Sequence, residues 1–551
     1  MKRPSFLSIL IFCATFCYGQ DGMPDASFGT GGVYAHQYDY YGRALAFQIS
    51  GNIVTCSDEM IGSNSCITRY LPNGSLDPTF GTNGFRSVQY GTENTQSLDI
   101  SVDVQNNIWV AGYKSGTGKY GILTKLNGST GTFNSGFGTG GQRVYNTGSQ
   151  AWEFRSIYTE PPGTFNPDQK TLIAGTASEI YLDSNGLAAS HVRGLVGRVT
   201  MDGTPDITFG QNGFVLLDPF YSNGQLEFYD ILPDNHGRIL ACGYEMRTFG
   251  TQPAVTFTCY AVAVRFLSDG TLDTTFANNG KFYYSPYPDA LEYTKNIHIG
   301  LNDEIVITGL HGYQGAFEFL AIKLLDDGSF DTNFNSTGVR QISYYSHPTT
   351  VGGNGSALQD DGKILLGGAV GFGIDTVYFS ACRLQSDGSL DSAFGNASPG
   401  FSLVVANNYV SGAAMNLYLT PGYVNGLTGT QGKIVMVGKA SICANGVCQP
   451  PHITLVRLNN ALTITSHMNE SEATTALECG PNPFFDHLNL LHLEDFIGGN
   501  YSLINLLGQE VLSGNIREDR LTVEAKTVPP GNYFLSVSNR RNRFSMLVSK
   551  Q

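Results

Sequence analysis

Apolar residues in this chain fall into short runs separated by turn-forming residues, and the runs recur at a near-constant interval. The plainest is Gly237-Arg238-Ile239-Leu240-Ala241-Cys242-Gly243, echoed at 51–56, 107–112, 170–175, 304–309, 362–367 and 432–438. Runs this short, bracketed by turn residues, predict strands with little exposed face. Each is followed by an alternating stretch ending in a basic residue, at Arg69, Lys125, Arg198, Arg265, Lys323, Arg383 and Arg457. A turn phrase follows, written SDGTLDTTF at 268–276, with an Asp three residues before a Phe. It reads Asp25/Phe28, Asp77/Phe80, Asp206/Phe209, Asp273/Phe276, Asp331/Phe334 and Asp391/Phe394, with Asn134/Phe137 as a variant. From Phe28 to Phe394, six intervals cover 366 residues, a mean of 61.

The fourth period reads as four strands at 209–217, 226–232, 237–243 and 260–266, and no stretch of the chain sustains a helical period. Four strands in a repeat of ~60 residues predict a radial blade. Seven such units predict an all-β fold, a seven-bladed β-propeller over 24–462. A lone unit cannot bury both sheet faces, so blades stack, and closing the ring removes the exposed sheet ends. An open superhelix is the competing arrangement. Insertions interrupt the third unit at 161–169 and 181–191, and insertions in repeat proteins map to loops and often to the binding face.

The two ends depart from the repeat. Lys2 and Arg3, the apolar stretch 6–16 and the small Gly19 predict a secretory signal peptide at 1–19. After a polar linker at 463–478, residues 479–551 alternate between apolar runs and Gly or Pro turns, which predicts a small Ig-like β-sandwich. No apolar run approaches the ~20 residues that a membrane-spanning helix needs.

The repeat resembles the delta-60 repeat family, most closely at Asp361-Gly362-Lys363-Ile364-Leu365 and at Asp387-Gly388-Ser389-Leu390-Asp391 through Phe394-Gly395. That resemblance implies a propeller-like architecture over about 24–460 and no settled chemistry. The last ~70 residues look like the type A C-terminal sorting domain of the type IX secretion system of Bacteroidota. The likeness rests on Pro481-Asn482-Pro483, the strand ending Leu507-Gly508, Gly531-Asn532-Tyr533 and a final strand at 546–548, with Phe544 departing from the usual basic start. It implies passage through the outer membrane by that machinery, by way of the periplasm, to the medium or the cell surface.

Composition narrows the partners. Glycine at 67 of 551 residues is about 12%, against ~7% in an average protein, as a turn-rich β chain requires. A net charge of −14 with no basic cluster before the last dozen residues weighs against nucleic acid as a partner. Beyond the signal, eight cysteines enter an oxidising compartment. Cys443 and Cys448 flank an Asn-Gly hairpin and predict one disulfide, while Cys56/Cys66 and Cys242/Cys259 each flank a third-to-fourth strand hairpin and make weaker pairs. The recurrent Asp offers oxygen donors, so calcium is the one cofactor the sequence suggests, but the spacing is unlike a 12-residue calcium loop. Capping a turn and pairing with the basic strand end is the structural reading.

No HExxH, GxSxG or phosphate loop occurs. Aromatics carry the remaining pattern. Tyr40, Tyr41, Tyr284, Tyr287 and Tyr345 lie 7 to 13 residues past an anchor Phe, where a ring of tyrosines would bind glycan or a surface protein, unless it packs between blades. The sequence therefore reads as a secreted or surface protein that binds or builds without catalysis. A secreted polysaccharide hydrolase or lyase, with acid and base drawn from different blades, is the alternative.

Overall fold

A computed structural model describes residues 21–550 except 36–39, 60–64, 117, 146–149, 160–167, 183–187, 222, 250–255, 301, 344–349, 373–375, 398–399, 406–410, 420–431, 442, 445–446, 449–451, 461–477, 481–483, 506–509 and 539–542. The signal, Tyr345 and most of the linker lie outside the described residues. The chain divides into two compact units, one of 1–422 with 431–461 and one of 423–430 with 462–551. Apart from one 3-10 turn at Glu494–Phe496, every regular element among the described residues is a β-strand. No helix among them is long and apolar enough to cross a membrane.

The larger unit is a succession of four-stranded antiparallel sheets. The fourth runs Gly224–Pro233, Ile239–Phe249, Thr256–Phe266 and Lys281–Tyr284. The turn phrase therefore sits inside a sheet, between its third and fourth strands, and the sequence period is offset by one strand from the folded unit. That offset decides how the chain ends meet. The last sheet has three strands of its own, Ser411–Leu419, Ile434–Ser441 and His452–Leu458, and takes its fourth, Val33–Ala35, from the N-terminus.

The first strands of successive sheets are Tyr40–Phe47, Asn94–Val102, Ala151–Thr159, Gly224–Pro233, Leu291–Ile299, Thr350–Leu358 and Ser411–Leu419. They adjoin one another in that order, and the last adjoins the first. They enclose a common axis. Apolar clusters fill each seam between neighbouring sheets. Phe28, Leu45, Ile53 and Tyr70 meet Val435, Val437, Ile453 and Leu455 where the last sheet meets the first.

The turn phrases clamp the seams. Arg265 donates from Nε to Asp273 Oδ2 at 2.8 Å, lies 4.7 Å from the centroid of the Phe276 ring, and reaches the Asp326 carbonyl of the next phrase through Nη1. The same ion pair joins Arg457 to Asp25 at 2.9 Å, Arg69 to Asp77 at 2.8 Å, Arg198 to Asp206 at 2.7 Å, Arg383 to Asp391 at 2.8 Å and, more loosely, Lys323 to Asp331 at 3.5 Å. The other oxygen of each Asp caps the turn. In Asp273, Oδ1 accepts from the Thr275 backbone at 3.1 Å and from its hydroxyl at 2.6 Å. Where Asn134 replaces the Asp, Lys125 turns instead to Asp103 at 3.2 Å.

The anchor rings are core and not surface. Phe80 lies under Arg69, 4.7 Å from ring centroid to guanidinium, and packs with Val54, Ile67, Ile100 and Val110 in the seam between the first and second sheets. Phe334 packs with Val306, Phe319, Ile364 and Leu366 between the fifth and sixth. Both are fully buried. Each phrase also lays a glycine on the preceding anchor Phe. Gly270, at φ +87°, leaves a Cβ only 3.0 Å from the Phe209 ring and 2.9 Å from the Gly210 nitrogen. Gly22 covers Phe394 in the same way, so the N-terminal phrase follows the last one around the axis.

The smaller unit packs two sheets on one core. Glu478–Gly480, His487–Leu491 and Arg520–Glu524 form one, and Asn500–Asn505, Glu510–Asn515, Gly531–Ser538 and Arg543–Lys550 the other. Leu488, Leu490, Leu503, Val523, Leu535 and Val548 lie between them.

Two disulfide expectations fail on register. Cys56 faces Ile67 and Cys66 faces Ser57, so strand alternation turns the two thiols to opposite faces. Cys242 pairs with Ala263 and Cys259 with Met246, several residues apart along the ladder. All four are free, and burial pushes the Cys66 and Cys259 thiols up to about 12. The backbone register sets Cys443 directly opposite Cys448.

Candidate functional site

Every strand around the axis carries a β-bulge at the same level. The register skips between Gly42 and Ala44, Ser97 and Asp99, Phe154 and Ser156, Phe228 and Asp230, Thr294 and Asn296, Gly352 and Gly355, and Ala414 and Asn416. A bulge inserts an unpaired residue, bends the strand and re-aims a side chain. The residue after the bulge repairs the ladder. Asp99 accepts from the Ile100 nitrogen at 2.8 Å and, across the seam, from Ile157 at 2.9 Å. Asp230 does the same for Ile231 at 2.9 Å and Ile297 at 3.0 Å. These carboxyls are scaffold. Burial pushes Asp99 up to about 7 and Asp230 up to about 6, against the pull of those backbone donors.

The inserted residues include Arg43, Arg155, Tyr229 and Lys295, and these four meet neighbours from several sheets. Arg155 is the hub. Its Nη2 lies 3.0 Å from Glu153 and 3.3 Å from Glu227 on the next axial strand, and its Nη1 donates to Tyr229 Oη at 3.0 Å. Tyr229 in turn donates to Glu227 at 2.9 Å and stacks on Tyr244, with ring centroids 5.3 Å apart. Lys295 Nζ lies 5.0 Å from the Tyr229 centroid. Around this hub, Arg43 pairs with Asp58 at 2.9 Å, Lys119 pairs with Glu153, and Lys439 sits 4.6 Å over Tyr41. Arg155, Glu153 and Glu227 are each largely shielded, with side chains 22%, 16% and 19% exposed.

The cations share one field. Burial, then Arg155 and Arg43, bring Lys295 down to about 8 against the pull of Glu227. Burial and Arg43 lower Lys439 as well. Burial, then Glu227, push the Tyr244 hydroxyl up to about 12, and Tyr229 is held well above its ordinary value, so both rings are protonated donors near neutral pH. The Arg155 Nε is buried without a hydrogen-bond partner. The arrangement sets donors suited to anions beside acceptors suited to hydroxyls, because guanidinium and ammonium groups lie among carboxylates.

The tyrosines singled out by sequence are not brought together. Tyr41 belongs to this axial site. Tyr40 begins the same strand, Tyr284 is half-buried on an outer strand against Phe330 at 5.8 Å, and Tyr287 is 51% exposed against Tyr313 at 5.2 Å. The repeat positions take no part in the site either. Phe80 and Phe334, like the other anchor rings, are sealed in the seams and offer no face to a ligand. The recurrent Asp is a poor calcium ligand, since its oxygens are taken by Arg and by the turn. No group of three or more metal-ligating side chains occurs among the described residues. Sequence reasoning passed over Arg43, Arg155, Tyr229 and Lys295. A polar residue followed by Ile or Leu recurs just after the bulge (Asp99-Ile100, Ser156-Ile157, Asp230-Ile231, Asn296-Ile297, Asn416-Leu417) and marks it in the sequence.

Comparison with known proteins bears on both units. A family model described as a secretion system C-terminal sorting domain matches residues 480–549, and one described as a beta-propeller domain of unknown function matches 51–80 and 359–394. No curated protein matches the sequence. Among solved structures, a protein of unknown function from Dyadobacter fermentans is 12% identical, covering 78% of this chain and 99% of its own, at a TM-score of 0.33. An ulvan lyase is 8% identical, covering 77% and 96%, at 0.42. A copper-bound fungal alcohol oxidase is 11% identical, covering 94% and 98%, at 0.37.

Proposed function

Since the chain is a β-propeller-like protein with a type IX secretion sorting tail, we propose that it is an exported seven-bladed propeller that holds a ligand at its axis without transforming it. A signal peptide at 1–19, delta-60 repeats at 24–462 and an Ig-like sorting domain at 479–551 complete the reading. The tail carries export to the medium or the cell surface, and the secretion machinery is its partner. The ligand is a glycan or a surface protein.

The observation that carries the binding role is Arg155 bridging Glu153 and Glu227 beneath Tyr229. A general acid and base need pKa values poised near the working pH. Here both axial tyrosines are locked as donors, and the two carboxylates are tied to one guanidinium. Such a set orients a ligand, and Lys295, the axial group brought down to about 8, is assigned here to holding the charge of the ligand and not to moving a proton.

The full mature chain, incubated with a polysaccharide panel, is expected to retain ligand on a pull-down and to release no new reducing ends or unsaturated products. Turnover would refute the binding role. Deleting 479–551 is expected to keep the protein in the periplasm of its host, and a truncated chain that still reached the medium would refute the role of the tail.

A further inference from the structure

Resting on that binding role, we propose that the axial site takes an acidic sugar, a pyranose bearing a carboxylate or sulfate. Arg155 and Lys295 bind the oxyanion, and Glu153 and Glu227 accept hydrogen bonds from the neighbouring hydroxyls.

The argument begins with charge. The chain carries a net −14, yet Arg43, Arg155 and Lys295 enter the axis at the equivalent bulge position of three different strands, with Lys119 and Lys439 beside them. A scaffold gains nothing from bringing like charges together, and part of the cost is visible, because after burial it is Arg155 and Arg43 that depress Lys295, against the pull of Glu227. An anion would relieve that repulsion. Against the net negative charge of the chain, cations gathered in a partly shielded site focus their field on an incoming anion.

The second element is what remains unspent. Arg155 uses Nη1 and Nη2 on Tyr229, Glu153 and Glu227, while its Nε is buried with no acceptor in reach. That donor is shielded, as are the Nε atoms of Arg86, Arg193, Arg247 and Arg340, and a small turn of the Arg155 guanidinium would bring it to an incoming oxyanion.

The third is the mixture of groups. A bare inorganic anion would be repelled by Asp58, Glu153 and Glu227, which surround the cations. A ligand with hydroxyl donors a few ångströms from its charge uses both signs. Tyr41 and Tyr113 stand under Lys439 and Lys119 at 4.6 and 4.7 Å and extend the mixed surface, and Tyr113 donates to Gln96 at 2.7 Å.

Calorimetry on the full mature chain would use three oligosaccharides of equal length: oligogalacturonate, a sulfated galactan oligomer and a neutral galactan oligomer. At least one acidic oligomer should bind about tenfold or more tightly than the neutral one, and weaken as salt rises. Whichever acidic oligomer binds identifies the oxyanion. Arg155→Gln should lose about tenfold or more of that affinity. Lys295→Met, which removes a repelled charge and should fold at least as well, should lose several-fold. Equal affinity for the neutral oligomer, affinity unchanged in Lys295→Met, or no binding by any of the three would overturn the inference. Neutral binding would leave the broader binding role standing, whereas product formation would remove that role and not this ligand class.

Discussion

Arg265 offers the sharpest test of how the sheets are held together. Its side chain is 2% exposed and serves three residues: Asp273, the Phe276 ring and, across the seam, Asp326, whose carbonyl and carboxylate both accept from Nη1, the latter at 2.9 Å. Burial alone would raise the Asp273 carboxyl, but Thr275 and then Arg265 hold it below its ordinary value, so the folded protein carries the charge. Arg265→Met keeps the apolar stem and strands that charge. Breaking a buried pair by removing one partner costs ~3–5 kcal/mol. The two bonds from Thr275 survive and place the loss near the low end, while the Asp326 carbonyl loses a donor worth ~1 kcal/mol. The expected loss is therefore about 3–4 kcal/mol, read from the urea transition of the larger unit in the full mature chain. Pairing the change with Asp273→Asn should recover part of the loss and give a coupling of about 2 kcal/mol. The exposed Lys526–Glu524 pair, with side chains 69% and 65% exposed, is the control and should contribute little. A loss below about 1 kcal/mol for Arg265→Met would refute the clamp.

Gly270→Ala places a Cβ against the Gly210 nitrogen in a left-handed backbone and should cost about 2 kcal/mol or more by urea unfolding. His298 hydrogen-bonds Ser356 at 2.7 Å, and burial lowers it to about 4. The unfolded chain therefore takes up its proton first, and the stability His298 contributes is full above pH 6.5 and lost as pH falls toward 4. Between pH 7 and 4, wild type should lose up to ~3 kcal/mol more than His298→Gln, and parallel losses would refute the assignment. In exported protein, alkylation of the denatured, unreduced chain should label Cys56, Cys66, Cys242, Cys259, Cys382 and Cys479 and spare Cys443 and Cys448, whose register suits a bridge.

Much of the scaffold was legible because its parts have strict local requirements. The Gly of the turn phrase needs a left-handed backbone and a bare face for the preceding Phe, and the Asp needs a donor two residues on and a basic residue eight before it. These requirements recur from copy to copy and print a period on the sequence. The offset between period and sheet was not legible, since it depends on which strand Val33–Ala35 joins 423 residues away. The axial site was hidden for another reason. A bulge merely shifts strand alternation by one, so Arg155 and Lys295 look like ordinary solvent-facing positions, and their convergence depends on strands from different repeats.

The borrowed strand has a kinetic consequence. Val33–Ala35 is among the first parts of the mature chain to be synthesised and the last to find its partner, because Leu455 and Val456 arrive some 420 residues later. At ~5–20 residues per second, that wait lasts roughly 20–80 s. Until then the first sheet offers an uncovered apolar seam at Leu45 and Ile53, and the last sheet will emerge with a bare edge at His452–Leu458. Exposed seams and edges are where chains associate wrongly. Two growing copies that exchanged their N-terminal strands would satisfy the same hydrogen bonds, so the ring must outrun its own dimer.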